Sequence, residues 1–279
     1  MIRSLVAAAC LVLASQPANA VQPQPQPQPQ PALSAQETAQ TNDSLRRGRL
    51  IYIYDQAAWH TTDAAIEDVK DLSGVKGWVV VPTTNGLLVT YYGRDATGVF
   101  GLYEAVWTGT AVVDRRPLAR VPLTSEQKRL IAVGDLVSSE GLMSCSDKPF
   151  NRVILPGARA GDPDSVYLLT PQTDARSFPF GGHHRFDVKD GKIVSKRGFT
   201  RSCIAIPAPP PGKKGKKVAG LMVTHLLDPV PTEIHVFMAF ATGKSIWVGT
   251  QSNQRFWAID VQAGEPKLTI MPAPKGFEW

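Results

Sequence analysis

The sequence predicts an α+β fold: a single domain built on antiparallel sheet, with two or three helices. Three observations carry this expectation. Short runs rich in β-branched and aromatic residues recur along the chain, separated by residues with hairpin-turn chemistry. One amphipathic stretch, 125–138, sits behind a capping box. Strand-like and helix-like segments do not alternate, and no glycine-rich phosphate loop occurs, which argues against a parallel α/β architecture.

The chain opens with Met1-Ile2-Arg3, an apolar run from Leu5 to Ala14, and the small-x-small site Ala18-Asn19-Ala20. A positive start, a short apolar core and such a site read as a cleavable signal peptide over residues 1–20. A run of about ten apolar residues is too short to cross a hydrocarbon core of ~30 Å. Export to the periplasm or the medium is therefore expected, with no transmembrane segment in the mature chain. An alternative is lipid attachment at Cys10, behind Ala7-Ala8-Ala9. Residues 21–45 read as a disordered Gln/Pro-rich spacer. Gln-Pro repeats five times from Gln22 to Pro31, and alternating proline forbids helix and removes backbone donors. The globular domain is expected to span 46–279, long enough for one substantial core.

Within it, Leu50–Tyr54 reads as a β-rich run and Thr62–Val69 as helical. Strands are expected at 78–81, 87–92 and 99–107, with turns at Thr84-Asn85-Gly86 and Asp95-Ala96-Thr97-Gly98. Thr124-x-x-Gln127 caps the helix 125–138, in which Leu130, Val133 and Val137 recur at helical spacing. Further strands are expected at 153–155, 166–169, 184–188 and 193–199, the last two joined through Asp190-Gly191. The final third reads as a meander of strands at 218–226, 233–240, 245–250, 255–261 and 267–271. Pro207–Lys217 reads as a long exposed hairpin loop between two of these strands.

Charge and cysteine content bound the function. The chain has 30 Lys and Arg against 24 Asp and Glu, a net charge of +6. Loss of Arg3 with the leader would leave a mildly basic protein. This balance favours weak contact with anionic surfaces through Lys213, Lys214, Lys216 and Lys217, and nucleic acid is not an expected partner. Two cysteines, Cys145 and Cys203, remain beyond the leader. An even count in an oxidising compartment predicts one disulfide between them, 58 residues apart.

Four of the five histidines fall in two segments, Gly181–Phe186 and Thr224–Phe237. In the second, Pro229-Val230-Pro231 cannot continue a strand and reads as a hairpin turn. Folding symmetrically about Val230 sets His225 opposite His235, with Cβ atoms ~5 Å apart. Glu233 then shares their face. Two imidazoles and a carboxylate on one sheet face suit zinc, with His183 or His184 completing the ligand set. Arg185 would hold an anionic group. Without a metal, Glu233 and the histidines would still serve as general acid and base. The spacing matches no established metalloenzyme signature, and an ordinary hydrogen-bonded polar patch explains the same residues.

Other candidates are weaker. Glu104 lies in the apolar run 100–107 and is expected at an edge or in an ion pair. His60 and Asp63 read as surface groups near a helix start. No Gly-x-Ser-x-Gly elbow exists, so an α/β-hydrolase serine is not expected.

The stretches Cys145-x4-Asn151-Arg-Val-Ile-Leu-Pro156, Gly181-Gly-His-x-Arg-Phe186, Phe199-Thr-Arg-Ser-Cys203 and Thr224–Phe237 resemble those of exported proteobacterial proteins of unknown function, over about residues 48–260. The resemblance implies no activity, cofactor or partner. The leading expectation is an exported envelope binding or accessory module. The competing one is a metal-dependent hydrolase centred on Glu233, His225 and His235.

Overall fold

A computed structural model describes residues 32–208 and 219–277. The expected leader, Cys10, the Gln-Pro repeats and the four clustered lysines lie outside the described residues. The elements from Leu33 onward belong to one compact unit.

Helix α1 spans Ala35–Asp68, 34 residues and therefore about 50 Å. This corrects the spacer boundary at residue 45 and the strand expected at 50–54. Ser34 and Glu37 form a complete capping box that starts the helix well before Arg46. The Ile-Tyr-Ile-Tyr run has strand propensity, but burial decides its state. Gly48, Ile51, Tyr54, Ala57, Ala58, Thr61, Ala64 and Ala65 are buried at helical spacing. Tertiary packing overrides the weaker intrinsic preference. It also moves His60 and Asp63 from a helix start to the interior of α1.

Strands β1 (Gly77–Thr83), β2 (Gly86–Asp95), β3 (Gly98–Trp107) and β4 (Val112–Pro122) form an antiparallel meander. Both expected turns are tight, with Thr83 opposite Gly86 and Asp95 opposite Gly98. Strand β4 escaped the sequence reading because it is mostly exposed and rich in charge and proline. Helix α2 (Ser125–Ser138) forms as expected, with Thr124 and Gln127 capping it reciprocally.

A second sheet follows, in the order β5 (Asn151–Leu155), β6 (Asp164–Leu169), β8 (His184–Lys189), β9 (Lys192–Gly198). Asp190 and Gly191 make the β8–β9 turn, both at positive φ. Between β6 and β8, β7 (Ser177–Pro179) pairs with β10 (Ala205–Pro207) as a small ribbon. Cys145 and Cys203 are joined in a disulfide, with Cα atoms 5.6 Å apart. Closing a loop of 58 residues stabilises the fold by about 4 kcal/mol in the chain-entropy model.

The last third departs from the expected meander. Strand β11 (Gly220–His225) lies parallel to β12 (Ser245–Thr250), and helix α3 (Glu233–Thr242) makes the crossover. Strands β13 (Arg255–Gln262) and β14 (Glu265–Met271) extend this third sheet antiparallel. Residues 233–240 are thus helix, not strand. Every residue from Glu233 to Ala239 is buried. A helix apolar all round has no period by which a sequence can distinguish it from a buried strand. Strands β10 and β11 do not pair with one another, and the lysine-bearing loop expected between them lies largely outside the described residues.

Among the described residues, three helices on predominantly antiparallel sheets make this an α+β fold. Helix α1 is its axis. It packs on α3 and on strands of all three four-stranded sheets. The main core is continuous from Ile51 and Tyr54 through Tyr103, Tyr167 and Phe199 to Trp257. At the α1–α3 crossing, a Cβ on Gly48 would lie 2.5 Å from Val236 Cβ and 2.6 Å from the Glu233 carbonyl oxygen. Alanine favours a helix over glycine by about 1 kcal/mol, but the backbone oxygen cannot yield without moving α3. Gly48→Ala is therefore expected to destabilise the protein by about 1–3 kcal/mol, the usual cost of overpacking. Urea unfolding checks this; an unchanged or raised midpoint would contradict the close crossing.

Candidate functional site

Of the residues singled out by the sequence, His225 and His235 meet at the corner where β11 turns into α3, and Glu233 in the first turn of α3 meets Arg185. They assemble from other elements than a hairpin. Residues 226–232 return the chain from the end of β11 to the first turn of α3. The His225 and His235 rings meet edge to face, with centroids 4.8 Å apart. Both are buried.

Each ring is engaged. The His225 Nε2 lies 2.8 Å from Asp228 Oδ2. Arg197 Nη2 donates to the same oxygen at 2.7 Å. Burial raises the Asp228 pKa, but the bonds from His225 and Arg197 outweigh it and hold the carboxyl down to about 2. The Asp228 carboxylate is thus ionised, and His225 Nε2 carries a proton toward it. His235 occupies the third position of α3. Its Nδ1 accepts from the Thr232 backbone N–H at 2.9 Å, closing the helix start. Burial, reinforced by nearby His225, holds its pKa well below the ordinary value.

His183 is likewise satisfied on both nitrogens. Thr170 N–H donates to its Nδ1 at 3.1 Å, so Nε2 bears the hydrogen and donates to the Pro179 carbonyl at 2.8 Å. His184 is directed elsewhere. It alternates onto the face of β8 that carries Phe186 and Val188, and packs edge to face on Phe150. Burial lowers its pKa. It does not join the other three.

Glu233 and Arg185, expected as catalytic groups, are each other's partners. Arg185 Nη1 donates to Glu233 Oε1 at 2.7 Å. Tyr167 OH donates to the same oxygen at 3.3 Å. Arg47 of α1 reaches Ser165 Oγ at 2.8 Å and Tyr167 OH at 3.3 Å. Ser165 Oγ donates to Asp187 Oδ1 at 2.7 Å. Burial disfavours charge on Arg185, but Glu233, Tyr167 and Asp187 together more than compensate and its pKa is raised. Arg185 Nε lies 3.4 Å from Asp187 Oδ2, within ion-pair range but without hydrogen-bond geometry. This network ties α1, β6, β8 and α3 through buried polar groups. Sequence reasoning missed Asp228, Arg197, Tyr167 and Arg47. Asp228 was within the quoted motif, three residues from His225; the others come from distant strands and a helix read as spacer or strand.

Among the described residues, no cluster of three or more His, Cys, Asp or Glu side chains is arranged to hold a metal ion. The expected ligand set of His225, His235, His183 and His184 with Glu233 therefore does not assemble. Glu104 pairs with Arg116, whose Nε donates at 2.8 Å, as expected of a carboxylate in an apolar run. His60 is stacked between Trp59 and Trp107 at 5.0 and 4.2 Å.

Breaking one partner of a buried pair strands the other, which costs about 3–5 kcal/mol. Glu233→Gln and Arg185→Met are each expected to lose about that much. The double variant should lose no more than the worse single variant, because neither charge is then unpaired. Chemical denaturation of the four proteins tests this coupling; additive losses would deny it.

Acidification should act on the fold through its buried histidines, against an opposing gain from Asp55, whose carboxyl is raised by burial to about 6. Burial holds the His183 pKa down to about 4, whereas an unfolded histidine titrates near 6.5. Below that pH the unfolded chain binds a proton that folded His183 refuses. Stability then falls with pH and is lower by about 3 kcal/mol once pH is under 4. His235 acts in the same direction. Asp228 acts later, its contribution fading as pH falls from about 3.8 toward 2. Melting measured between pH 7 and 4 should hold up better toward acid in His183→Gln than in the unaltered protein; identical pH profiles would contradict the His183 contribution. Compared with protein-family models, with curated proteins and with solved structures, the chain matches none of them.

Proposed function

We propose that this chain is an exported envelope domain acting as a binding or accessory module, with no catalytic centre at the β11–α3 corner. One observation carries the reading. The groups best suited to chemistry there hold internal partners: Glu233 with Arg185 and Tyr167, His183 with Thr170 and Pro179, His225 with Asp228, and His235 with Thr232. A general base must reach the proton it takes, and these side chains are buried and turned toward the fold. The Cys145–Cys203 disulfide supports an oxidising compartment, as does the leader-like start of the sequence. Among the described residues, no helix is long and apolar enough to cross a membrane.

A metal-dependent hydrolase is the competing reading. It is favoured by the 4.8 Å approach of the His225 and His235 rings beside Asp228. An ion would have to draw His225 from Asp228 or bind through the nitrogens that those contacts leave. Elemental analysis of tag-free protein separates the two. The module reading expects less than about a tenth of an equivalent of zinc, manganese or iron, and a melting temperature unmoved by added zinc. Stoichiometric metal, lost together with thermal stability in His225→Ala, would overturn it.

A further inference from the structure

We infer that the outer edge of β11 is a self-association surface, and that the strand it receives is β11 of a second copy of this chain. The inference holds independently of the functional reading above.

The three four-stranded sheets present six edge strands, β1, β4, β5, β9, β11 and β14. An edge exposes unpaired backbone donors and acceptors, and proteins blunt it with charge, proline, bulges or cover. Strand β4 carries Arg115, Arg116, Pro117 and Arg120, shifts register twice against β3, and turns left-handed at Asp114 and Arg120. Strand β9 carries Lys192, Lys196 and Arg197 and faces a register shift. Strand β14 begins Glu265-Pro266-Lys267. Strands β1 and β5 line the two sides of one cleft of about 10 Å³, room for about one water, with Arg152 in its wall.

Among the described residues, strand β11 has none of these devices. Gly220-Leu-Met-Val-Thr-His225 contains no Lys, Arg, Asp, Glu or Pro, and pairs with β12 without a register shift. Among the described residues no strand pairs with its other side. Apolar surface gathers beside it. Met222 is 49% exposed, Leu226 54% and Leu227 39%. These are three of the ten large exposed hydrophobics among the described residues, within six positions of the chain.

Charge selects the occupant. At a net charge of +6, two copies repel unless they meet on a neutral surface. From Ala219 to Leu227 there is no Lys, Arg, Asp or Glu, and His225 is turned inward and buried. An antiparallel copy centred on Val223 sets Met222 against the second copy's Thr224 on the exposed face, and Leu221 against its His225 on the buried face. No like charges oppose one another in this register. The contact is the same patch on both copies, so it closes as a two-fold dimer and does not propagate.

Sedimentation velocity of the chain, purified as the cell produces it, tests the inference from micromolar to submillimolar concentration. The unaltered protein should pass from monomer to dimer as concentration rises. Met222→Lys with Thr224→Lys adds charge to the outward face of β11 and should raise the dissociation constant at least ~10-fold, with unchanged melting. Val194→Lys, on the exposed face of β9, should dimerise like the unaltered protein. Backbone amides of 220–225 should gain hydrogen-exchange protection in the dimer. A protein monomeric at submillimolar concentration, or a dimer that persists in the β11 double variant, overturns the inference.

Discussion

The close crossing of α1 and α3 at Gly48 is the constraint on which the site and much of the core depend. With no side chain at that position, the Glu233 carbonyl and the Val236 side chain come against the α1 backbone. Helix α3 is buried on all sides, so it needs neighbours on all sides. Helix α1 supplies one of them and the third sheet another. The crossing also fixes the first turn of α3, where Glu233 and His235 leave the backbone. A glycine is a poor helix former taken alone. Here its cost is outweighed because two helices approach closely enough for tight packing.

Fixing that turn decides the electrostatics. Glu233 enters a buried region where an unpaired carboxylate would be costly. Arg185 from β8 and Tyr167 from β6 meet it directly, and Arg47 from α1 in turn meets Tyr167, so three further elements are tied to one charge. Asp228 repeats the arrangement on the other side of the corner, with Arg197 of β9 and His225 of β11. Charges held by several elements at once favour one arrangement of those elements, because any slip leaves a buried group unpaired. The polar residues of this corner therefore act as registration points between the second sheet, the third sheet and the two helices.

The sequence made some of this legible. Tight turns at 84–85, 96–97 and 190–191 follow from Asn, Asp and Gly at or beside the tips, and fix the strands on either side. The Thr124–Gln127 capping box marked α2 correctly. An equivalent box, Ser34-x-x-Glu37, stood just beyond the proline repeats and was hidden by them. The strand-like run at 50–54 is helix because tertiary packing buries α1 at helical spacing, whereas the run at 233–240 is a helix buried all round. Apolar residues buried on several sides carry no period, and β-branched or aromatic content then misleads. The parallel pairing of β11 with β12 depends on α3 being a helix, so one misread element changed the topology of the last third.

The meeting of His225 and His235 survived that misreading for a reason that concerns chain length more than secondary structure. Only nine residues separate them, and the intervening prolines block regular strand through the connection, so the chain returns close to where it left. A hairpin and a strand-to-helix corner both satisfy that constraint. The chemistry of the rings is decided at a finer level. On a strand, His235 would have faced its partner across a sheet with both nitrogens available. At the third position of a helix, its Nδ1 instead meets a backbone N–H that lacks an intrahelical acceptor. The helix start thereby takes up one of the two ring nitrogens. Proximity along a short connection can thus be read from sequence, while the direction of a side chain, and with it the chemistry, requires the correct local backbone.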